Sequence, residues 1–441
     1  MDFSNIELNE EFKKALELME GTSKNVFITG KAGTGKSTLL EYFRDTTQKK
    51  IVVLAPTGVS ALNVQGETIH SFFGFRPDIT IDKIEKLLPK DAKIYKELDA
   101  IVIDEISMVR ADLLDCVDKF LRLNGKKPNL PFGGIQMIFI GDLYQLPPVV
   151  TSKEKKIFTD HYESPYFFDS NVFKNLPVEF VELNKVYRQK DAKFIELLNQ
   201  IRNNTITEQN LNLLNSRVGA PISQRESDFV VYLTTLNEMA SKINNEYLDR
   251  LPGKAYQWLA QIEGEFEKNA FPTDYLLTIK PGAQVMMLNN NARGRWVNGS
   301  LGRVVSVRYN KKEECDVIGV QFQEGNKEYV TPFTWEIFHF KYDETTKKIE
   351  SEVVGRFSQY PLKLAWAVTI HKSQGKTFDK VIVDVGRGTF AGGQVYVALS
   401  RCTSFEGISL KKPIRKGHIF TDWRIVRFLT RFQYKIAEKE M

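Results

Sequence analysis

Eight residues, Gly30-Lys31-Ala32-Gly33-Thr34-Gly35-Lys36-Ser37, stand between the apolar run Val26-Phe27-Ile28-Thr29 and an apolar-periodic stretch that opens at Thr38-Leu39-Leu40. Strand, glycine-rich loop and helix in that order form a P-loop, and a P-loop belongs to an open α/β sheet whose ligands sit at the strands' carboxyl ends. The glycines let backbone N–H groups approach phosphate oxygens, Lys36 reaches the β and γ phosphates, and the Ser37 hydroxyl can ligand Mg²⁺. Gly30, Ala32, Gly33, Thr34, Gly35, Lys36, Ser37 and Thr38 are therefore the expected contacts of a nucleoside triphosphate. An unliganded glycine turn is the competing reading, and the full pattern between strand and helix disfavours it.

A P-loop alone fits a small-molecule kinase, a GTPase or a transporter ATPase, so its partners decide the chemistry. Ala100-Ile101-Val102-Ile103-Asp104-Glu105 has the form of a buried parallel strand that delivers two acids at its carboxyl end. Asp104 is the expected Mg²⁺ ligand, through water, and Glu105 the group that polarises the attacking water. A third run, Ile135 to Ile140, ends in Gly141-Asp142-Leu143-Tyr144-Gln145-Leu146-Pro147-Pro148-Val149. Gln145 is placed there as a γ-phosphate sensor, and the two prolines stiffen the segment that follows it.

The chain has 441 residues, 42% apolar and 26% charged, which suits about three soluble globular domains. No run approaches the ~18 apolar residues of a membrane span, and the acidic start Met1-Asp2-Phe3-Ser4-Asn5-Ile6-Glu7 resembles neither a signal nor a transit peptide. Cys116, Cys315 and Cys402 are far apart, so neither a disulfide framework nor a cysteine metal site is expected. These features predict an intracellular, cytoplasmic protein with no membrane partner. The net charge is +6, but residues 361 to 441 hold 15 Lys or Arg against 6 Asp or Glu. That polarity points to an anion, with a phosphate backbone the obvious one. In the same region Ile425, Phe428, Leu429, Phe432 and Ile436 form a helical apolar stripe expected to pack inward.

Gly30 to Ser37, Ala55-Pro56-Thr57-Gly58, Asp104-Glu105-Ile106-Ser107-Met108, Gly141 to Gln145 and Val186-Tyr187-Arg188 occur in an order that carries a resemblance. Two later segments, Leu364 to Thr377 and Gly393 to Arg401, look like helicase motifs V and VI. Together these motifs resemble superfamily 1B DNA helicases, closest to the Pif (petite integration frequency) family, relatives of the RecD-like helicases. The likeness runs from about Leu8 to Phe405, and Ala111 to Gly134 looks like the family's own signature region. No single motif would suffice.

The resemblance implies an α/β fold: two RecA-like P-loop NTPase lobes, a small wedge insertion in the first and a small β-barrel insertion in the second. Residues 1–180 form the expected first lobe, with the wedge at about 64–80, and 181–226 a linking helical segment. Residues 227–249 and 362–441 form the second lobe, and 250–361 the barrel. The barrel is also read from the residues themselves, as short strand-like runs at Tyr275–Ile279, Gln284–Leu288, Val304–Val307, Val317–Val320 and Val353–Arg356, with the tight-turn signal Asn298-Gly299 among them.

The implied activity is ATP hydrolysis, with Mg²⁺, coupled to 5′-to-3′ movement on single-stranded DNA and unwinding of duplex or structured DNA. Lys36, Glu105, Gln145, Arg188 and Arg401 are the implied catalytic set, Arg401 as an arginine finger and Arg188 as a second cation. A planar guanidinium suits the charge that spreads over a transferring phosphoryl group. Gly375 joins the nucleotide contacts. Implied strand-binding residues are Pro56, Thr57, Gly58, His70, Ser71 and Phe72 in the first lobe, with Thr234, Thr235, Asn237, His371 and Ser373 in the second. Hydroxyls and N–H groups bind phosphates without reading sequence, and His70 and Phe72 could stack bases. A buried Phe72-Phe73 core pair is an equal alternative.

The expected partners are single-stranded DNA and tailed or forked duplexes, with quadruplex DNA and RNA–DNA hybrids as further substrates and a monomer as the working unit. An RNA or mixed-substrate helicase and an ATP-gated clamp that does not unwind remain open alternatives. One position departs from the family pattern: Phe12 stands where relatives carry a glutamine that reads the adenine edge, which leaves selectivity for adenine unaccounted for.

Overall fold

The computed structural model describes residues 9–440 apart from residues 77, 149, 151–159, 190, 223–228, 292 and 387–391, and at 269 and 434–440 it gives the chain path without the side chains. The acidic start Met1–Glu7, the terminal Val149 of the third motif, Ser227 and the side chain of Ile436 lie outside these residues. The chain divides into two compact units, Met1–Tyr187 with Ile337–Val354 and Asp422–Met441, and Arg188–Glu336 with Gly355–Thr421.

The first unit is built on six parallel strands, β1 (Asn25–Gly30), β2 (Ile51–Ala55), β3 (Glu67–Thr68), β4 (Ala100–Ile103), β5 (Gln136–Ile140) and β6 (Val178–Leu183), in the spatial order β3-β2-β4-β5-β1-β6. The central strands read as unbroken apolar runs because both faces are covered. Alternate residues enter opposite layers. Phe27, Val52, Leu54, Ile101, Ile103, Met137 and Phe139 face one core, while Val26, Ile28, Val53, Val102, Ile138 and Ile140 face the other. The second layer is closed by the helices Glu10–Gly21 and Lys36–Thr46, through Phe12, Ala15, Met19, Leu39, Leu40 and Phe43.

The first layer is closed by the signature helix Ala111–Asn124 and, against expectation, by the C-terminal helix Trp423–Glu440. That helix was assigned to the second lobe; Asp422–Met441 groups with the first unit instead. The apolar stripe does pack inward. Phe428 stacks on Phe168 at 4.4 Å and Phe432 on Phe180 at 5.1 Å, while Ile425 and Leu429 are buried. Sequence adjacency to the second lobe misled the assignment, since the stripe says only that a partner exists.

The second unit holds a parallel sheet and an inserted β-domain. In chain order its strands are β7 (Val231–Thr234), β8 (Tyr256–Leu259), β9 (Gln261–Gly264), β10 (Leu276–Ile279), β11 (Gln284–Met287), β12 (Leu301–Asn310), β13 (Cys315–Phe322) and β14 (Lys327–Val330). After β15 (Phe333–Tyr342) and β16 (Ile349–Gln359), which belong only in part to this unit, come β17 (Leu362–Leu364), β18 (Ala367–Thr369), β19 (Val381–Asp384) and β20 (Ile408–Leu410). The lobe sheet runs β18-β7-β19-β20, all parallel. The insertion contains an antiparallel β14-β13-β12-β11-β17 sheet around Val285, Met287, Trp296, Val304, Ile318, Val320 and Phe322. All five expected runs fall on strands, and Gly299, with φ +101°, takes the left-handed turn expected of Asn298-Gly299.

The insertion was expected to be one body over 250–361, yet Ile337–Val354, most of the β15–β16 hairpin, groups with the first unit. There Phe340 meets Phe72 edge-on and its N–H donates to Glu67 Oε2 at 3.1 Å. Ser71 Oγ donates to Glu67 Oε1 at 2.6 Å and lies 3.0 Å from His339 Nε2. Burial pushes the Glu67 carboxyl up, and the bonds from Ser71 and Phe340 with the nearby His339 oppose that. Of the described residues, no helix is long and apolar enough to cross a membrane.

Candidate nucleotide site and strand-facing segments

The P-loop leaves β1 at Gly30, and this position excludes a side chain: a Cβ there would lie 2.6 Å from Thr34 Oγ1 and 2.7 Å from Leu183 O. Gly33 and Gly35 have φ +82° and +88°, so the loop curls with left-handed residues, the backbone shape that turns N–H groups toward an anion. Lys36 Nζ donates to Gly30 O at 2.7 Å and to Lys31 O at 2.9 Å, which holds the ammonium over the loop. Tyr187 N donates to Gly33 O at 2.9 Å, tying the start of the Tyr187-Arg188 pair to the loop.

Because β4, β5 and β1 are neighbours in the sheet, their carboxyl ends bring the three motifs together. Asp104 follows β4, and burial pushes its carboxyl up to about 6, opposed by a hydrogen bond from the Glu105 backbone and by the charge of Lys36. Glu105 sits at φ +50°, left-handed for a non-glycine residue, and opens the turn Ile106–Met108. Such a conformation stores of order 1 kcal/mol and places the carboxylate where an ordinary extended residue would not. Gly141 admits the close approach of that turn, since a Cβ would lie 3.0 Å from Ile106 Cγ2 and 3.1 Å from Ile106 N. Gln145 is 8% exposed and donates to Asp142 Oδ2 at 3.1 Å. Asp142 also accepts from Tyr144 N, so it orients the sensor amide. The sequence named Asp142 as part of the motif but gave it no role.

The donor set fits magnesium. Among the described residues no cluster of three or more His, Cys, Asp or Glu could cage a metal, whereas Ser37 and Asp104 offer two hard oxygens beside a phosphate loop. Mg²⁺ characteristically takes one or two protein oxygens, keeps waters and binds substrate phosphates.

Phe12 is a core residue. It is 3% exposed, and its Cε2 lies 3.4 Å from where a Gly35 Cβ would be. A ring so placed supplies no hydrogen bond to a base. Nearby Tyr187 is exposed, with Lys185 Nζ 5.3 Å from its ring centroid.

In the second unit Arg188, Gly375 and Arg401 come together. Arg188 donates to Ser400 O and Gly375 O, each at 3.3 Å, and burial pushes its pKa down. Arg401 is 1% exposed and donates to Val397 O at 3.0 Å, Ser373 O at 3.4 Å and Ser400 Oγ at 2.9 Å. Gln189, which sequence reasoning passed over, fixes the same turn by donating to Ser400 O and Cys402 O. Arg401 is thus a buried guanidinium oriented by its hydrogen bonds to Val397, Ser373 and Ser400.

The strand-facing candidates divide into two groups. Pro56-Thr57-Gly58 follows β2 and His70-Ser71 follows β3, and register pairs Ala55 with Thr68, so these segments sit at adjoining strand ends. Thr57 caps the helix Gly58–Asn63 through Ser60 N. Phe72 does not face a strand: its ring is buried against Phe73, Tyr95 and Phe340, so the core alternative holds and base stacking is withdrawn for it. In the second unit Ile370 N donates to Thr234 O, which joins Thr234 and Thr235 to the turn His371–Ser373. Asn237 is exposed at the start of helix Asn237–Arg250, whereas Ser373 is buried with its hydroxyl on Ile370 O. Burial also lowers the pKa of His371.

The family described as PIF1-like helicase matches residues 7–212. The chain is similar to ATP-dependent DNA helicase Pif1 of Bdellovibrio bacteriovorus, 31% identical, over 98% of this chain and 94% of that one. It is also similar to the crystal structure of Bacteroides sp Pif1 in complex with ADP-AlF4, 36% identical over 98% of both chains, TM-score 0.88. The Bacteroides Pif1 bound to ssDNA is 37% identical over 98% of both chains, TM-score 0.69.

Proposed function

The chain belongs to the PIF1-like helicase family and is an ATP-dependent DNA helicase; from that premise we propose that it moves 5′ to 3′ along single-stranded DNA and opens tailed or forked duplexes as a monomer. The observation that carries this reading is the convergence of Lys36, Asp104, Glu105 and Gln145 at the ends of three neighbouring strands.

Lys36 neutralises the β and γ phosphates, and the loop N–H groups hold them. Ser37 and Asp104 would hold Mg²⁺, and the ion would supply neutralisation of the charge that develops on the phosphates. Glu105 takes the proton of the attacking water, and Gln145, oriented by Asp142, contacts the terminal phosphate. Arg188 and Arg401 stabilise the transferring phosphoryl group during turnover.

The coupling of hydrolysis to movement rests on the second unit. Arg401 donates to the carbonyl of Ser373, and the turn His371–Ser373 is bonded through Ile370 to Thr234. The arginine thus shares a hydrogen-bonded turn with segments proposed to hold the strand. Binding is directed at the backbone and reads little sequence.

Nucleic-acid-stimulated ATPase tests the reading. Single-stranded DNA should raise turnover strongly, and Lys36→Ala should abolish it. RNA of matched length should stimulate less; equal stimulation would favour a mixed-substrate helicase, and DNA-independent turnover a clamp.

A further inference from the structure

In the first unit the C-terminal helix and the starts of β1 and β6 enclose a groove of about 750 Å³. Phe168, Phe173, Phe428 and Phe432 give it an apolar floor, and the exposed Arg427 and Arg431 also line it. We propose that this groove docks an acidic, apolar peptide segment of a partner protein, with two carboxylates on Arg427 and Arg431 and a large apolar side chain on the rings. The site goes beyond the helicase reading and gives part of the basic C-terminal region a role that hydrolysis and strand binding leave open.

Helical spacing explains why these groups converge. Arg424, Arg427, Phe428, Arg431 and Phe432 recur at intervals of three and four along Trp423–Glu440, which sets them on one face. Phe428 stacks on Phe168 at 4.4 Å and lies 5.8 Å from Phe173, so the rings form the inner side. Arg427 and Arg431 each precede a ring by one residue and stay exposed. Asn25 and Val178, the first residues of β1 and β6, line the same groove, whereas the P-loop follows the carboxyl end of β1. The six-residue β1 puts roughly 17 Å between them, at ~3.3 Å per residue, so an occupant of the groove leaves the nucleotide loop uncovered.

The charges select the occupant. Lys24 is paired with Glu179 at 3.0 Å, Lys174 with Glu163 at 3.0 Å, and Arg424 with Asp422 at 2.7 Å. Asp169, the remaining acid of the lining, accepts the Ser164 hydroxyl. Arg427 and Arg431 have no hydrogen bond or ion pair with the described residues; Arg427 acts on Glu163 only through space, as the smallest influence on that carboxyl. Two unpaired guanidiniums over an apolar floor match two carboxylates beside an apolar side chain. A long polyphosphate fits less well, because Glu163, Asp169 and Glu179 line the groove and repel it. Trp423, 63% exposed, lies 6.0 Å from the Arg427 guanidinium and extends the surface. Tryptophan and arginine beside a pocket are residue types that carry much of the binding energy at protein interfaces.

Fluorescence anisotropy with the full chain tests the site, using labelled peptides of about ten residues in which an Asp-Asp pair precedes a Phe or Leu directly or after a short spacer. At least one should bind, and Arg427→Ser/Arg431→Ser should weaken it about 10-fold, the sum of two exposed charge contacts. Asn-Asn in place of Asp-Asp in the peptide should cause a similar loss on the wild-type chain and no further loss on the variant. Ser in place of the Phe or Leu should abolish binding to both. DNA-stimulated ATPase without peptide and the melting temperature should be the same in variant and wild type. No binding by any member of the set at about 1 mM, equal binding of the Asn-Asn peptide, or unchanged affinity in the variant would each overturn the proposal. So would an equal loss of oligo-dT affinity in the variant, which would give the arginines to nucleic acid. A wild-type dimer in sedimentation that the variant lacks would overturn it as well, making the groove an interface between copies of this chain.

Discussion

Arg188 and Arg401, separated by more than two hundred positions, are hydrogen-bonded to the same residue: Arg188 Nη1 reaches Ser400 O at 3.3 Å and Arg401 Nη2 reaches Ser400 Oγ at 2.9 Å. The two guanidiniums are therefore one construction. Because a contact made mainly in the transition state lowers kcat and not ground-state affinity, Arg188→Ala should cut stimulated turnover by about 10³-fold. Nucleotide Kd should change by less than about threefold, under 1 kcal/mol at 1.4 kcal/mol per decade. Steady-state kinetics beside nucleotide titration separates the two. Ser400→Ala, which leaves both arginines in place, should show a smaller loss in kcat.

Glu105, proposed to activate the attacking water, has a left-handed backbone, φ +50°. Glu105→Gln should bind nucleotide normally and lose ~10²–10⁴-fold in turnover, the usual worth of a general base. Glu105→Gly should lose activity as fully, yet keep or slightly raise the melting temperature, because glycine removes a strain of about 1 kcal/mol at that position. Calorimetry of the two variants checks the strain separately from the chemistry.

Phe12 packs beneath the P-loop, and truncation there removes a buried ring. Phe12→Ala should cost about 3–5 kcal/mol of stability in the first unit. With no side-chain amide at this position to read the adenine edge, GTP should support turnover within about 10-fold of ATP, the discrimination expected when no dedicated hydrogen bond is made. Competition kinetics with paired nucleotides measures this.

Lys363 on β17 gives a pH signature. Burial pushes its pKa down to about 7, reinforced by the charges of Lys376 and Lys372 and opposed by Asp274. Between about 7 and its ordinary 10.4, the unfolded chain binds a proton that the folded chain does not, so stability rises with pH across that window. Below about 7 both states are protonated and the penalty is complete. Lys363→Met should therefore melt higher than wild type at pH 7 by a few degrees, and the difference should vanish near pH 10.5. Lys376, pushed down to about 8 by burial, acts in the same direction. Melting curves from pH 6 to 10.5 test the sign.

The elements of the proposed nucleotide site were legible because each is local. Glycines at φ +82° and +88°, an apolar strand before them and acids after another strand are each written in a few consecutive residues. What escaped depends on partners distant in sequence. The stripe on Trp423–Glu440 announced burial but not that Phe168 and Phe180 receive it. The β15–β16 hairpin read as part of a barrel, since nothing in Ile337–Val354 reveals that Glu67 and Ser71 bind it. Phe72 could be a base platform or core from sequence alone, and only the surrounding rings decide.

The most direct test of 5′-to-3′ unwinding is ATP-driven opening of two matched duplexes, one with a 5′ single-stranded tail and one with a 3′ tail, at low salt with Mg²⁺. Strand separation is expected from the 5′ tail alone and is lost in Lys36→Ala. Opening from the 3′ tail would contradict the proposed direction, and failure to open either duplex while DNA still stimulates ATPase would contradict unwinding itself.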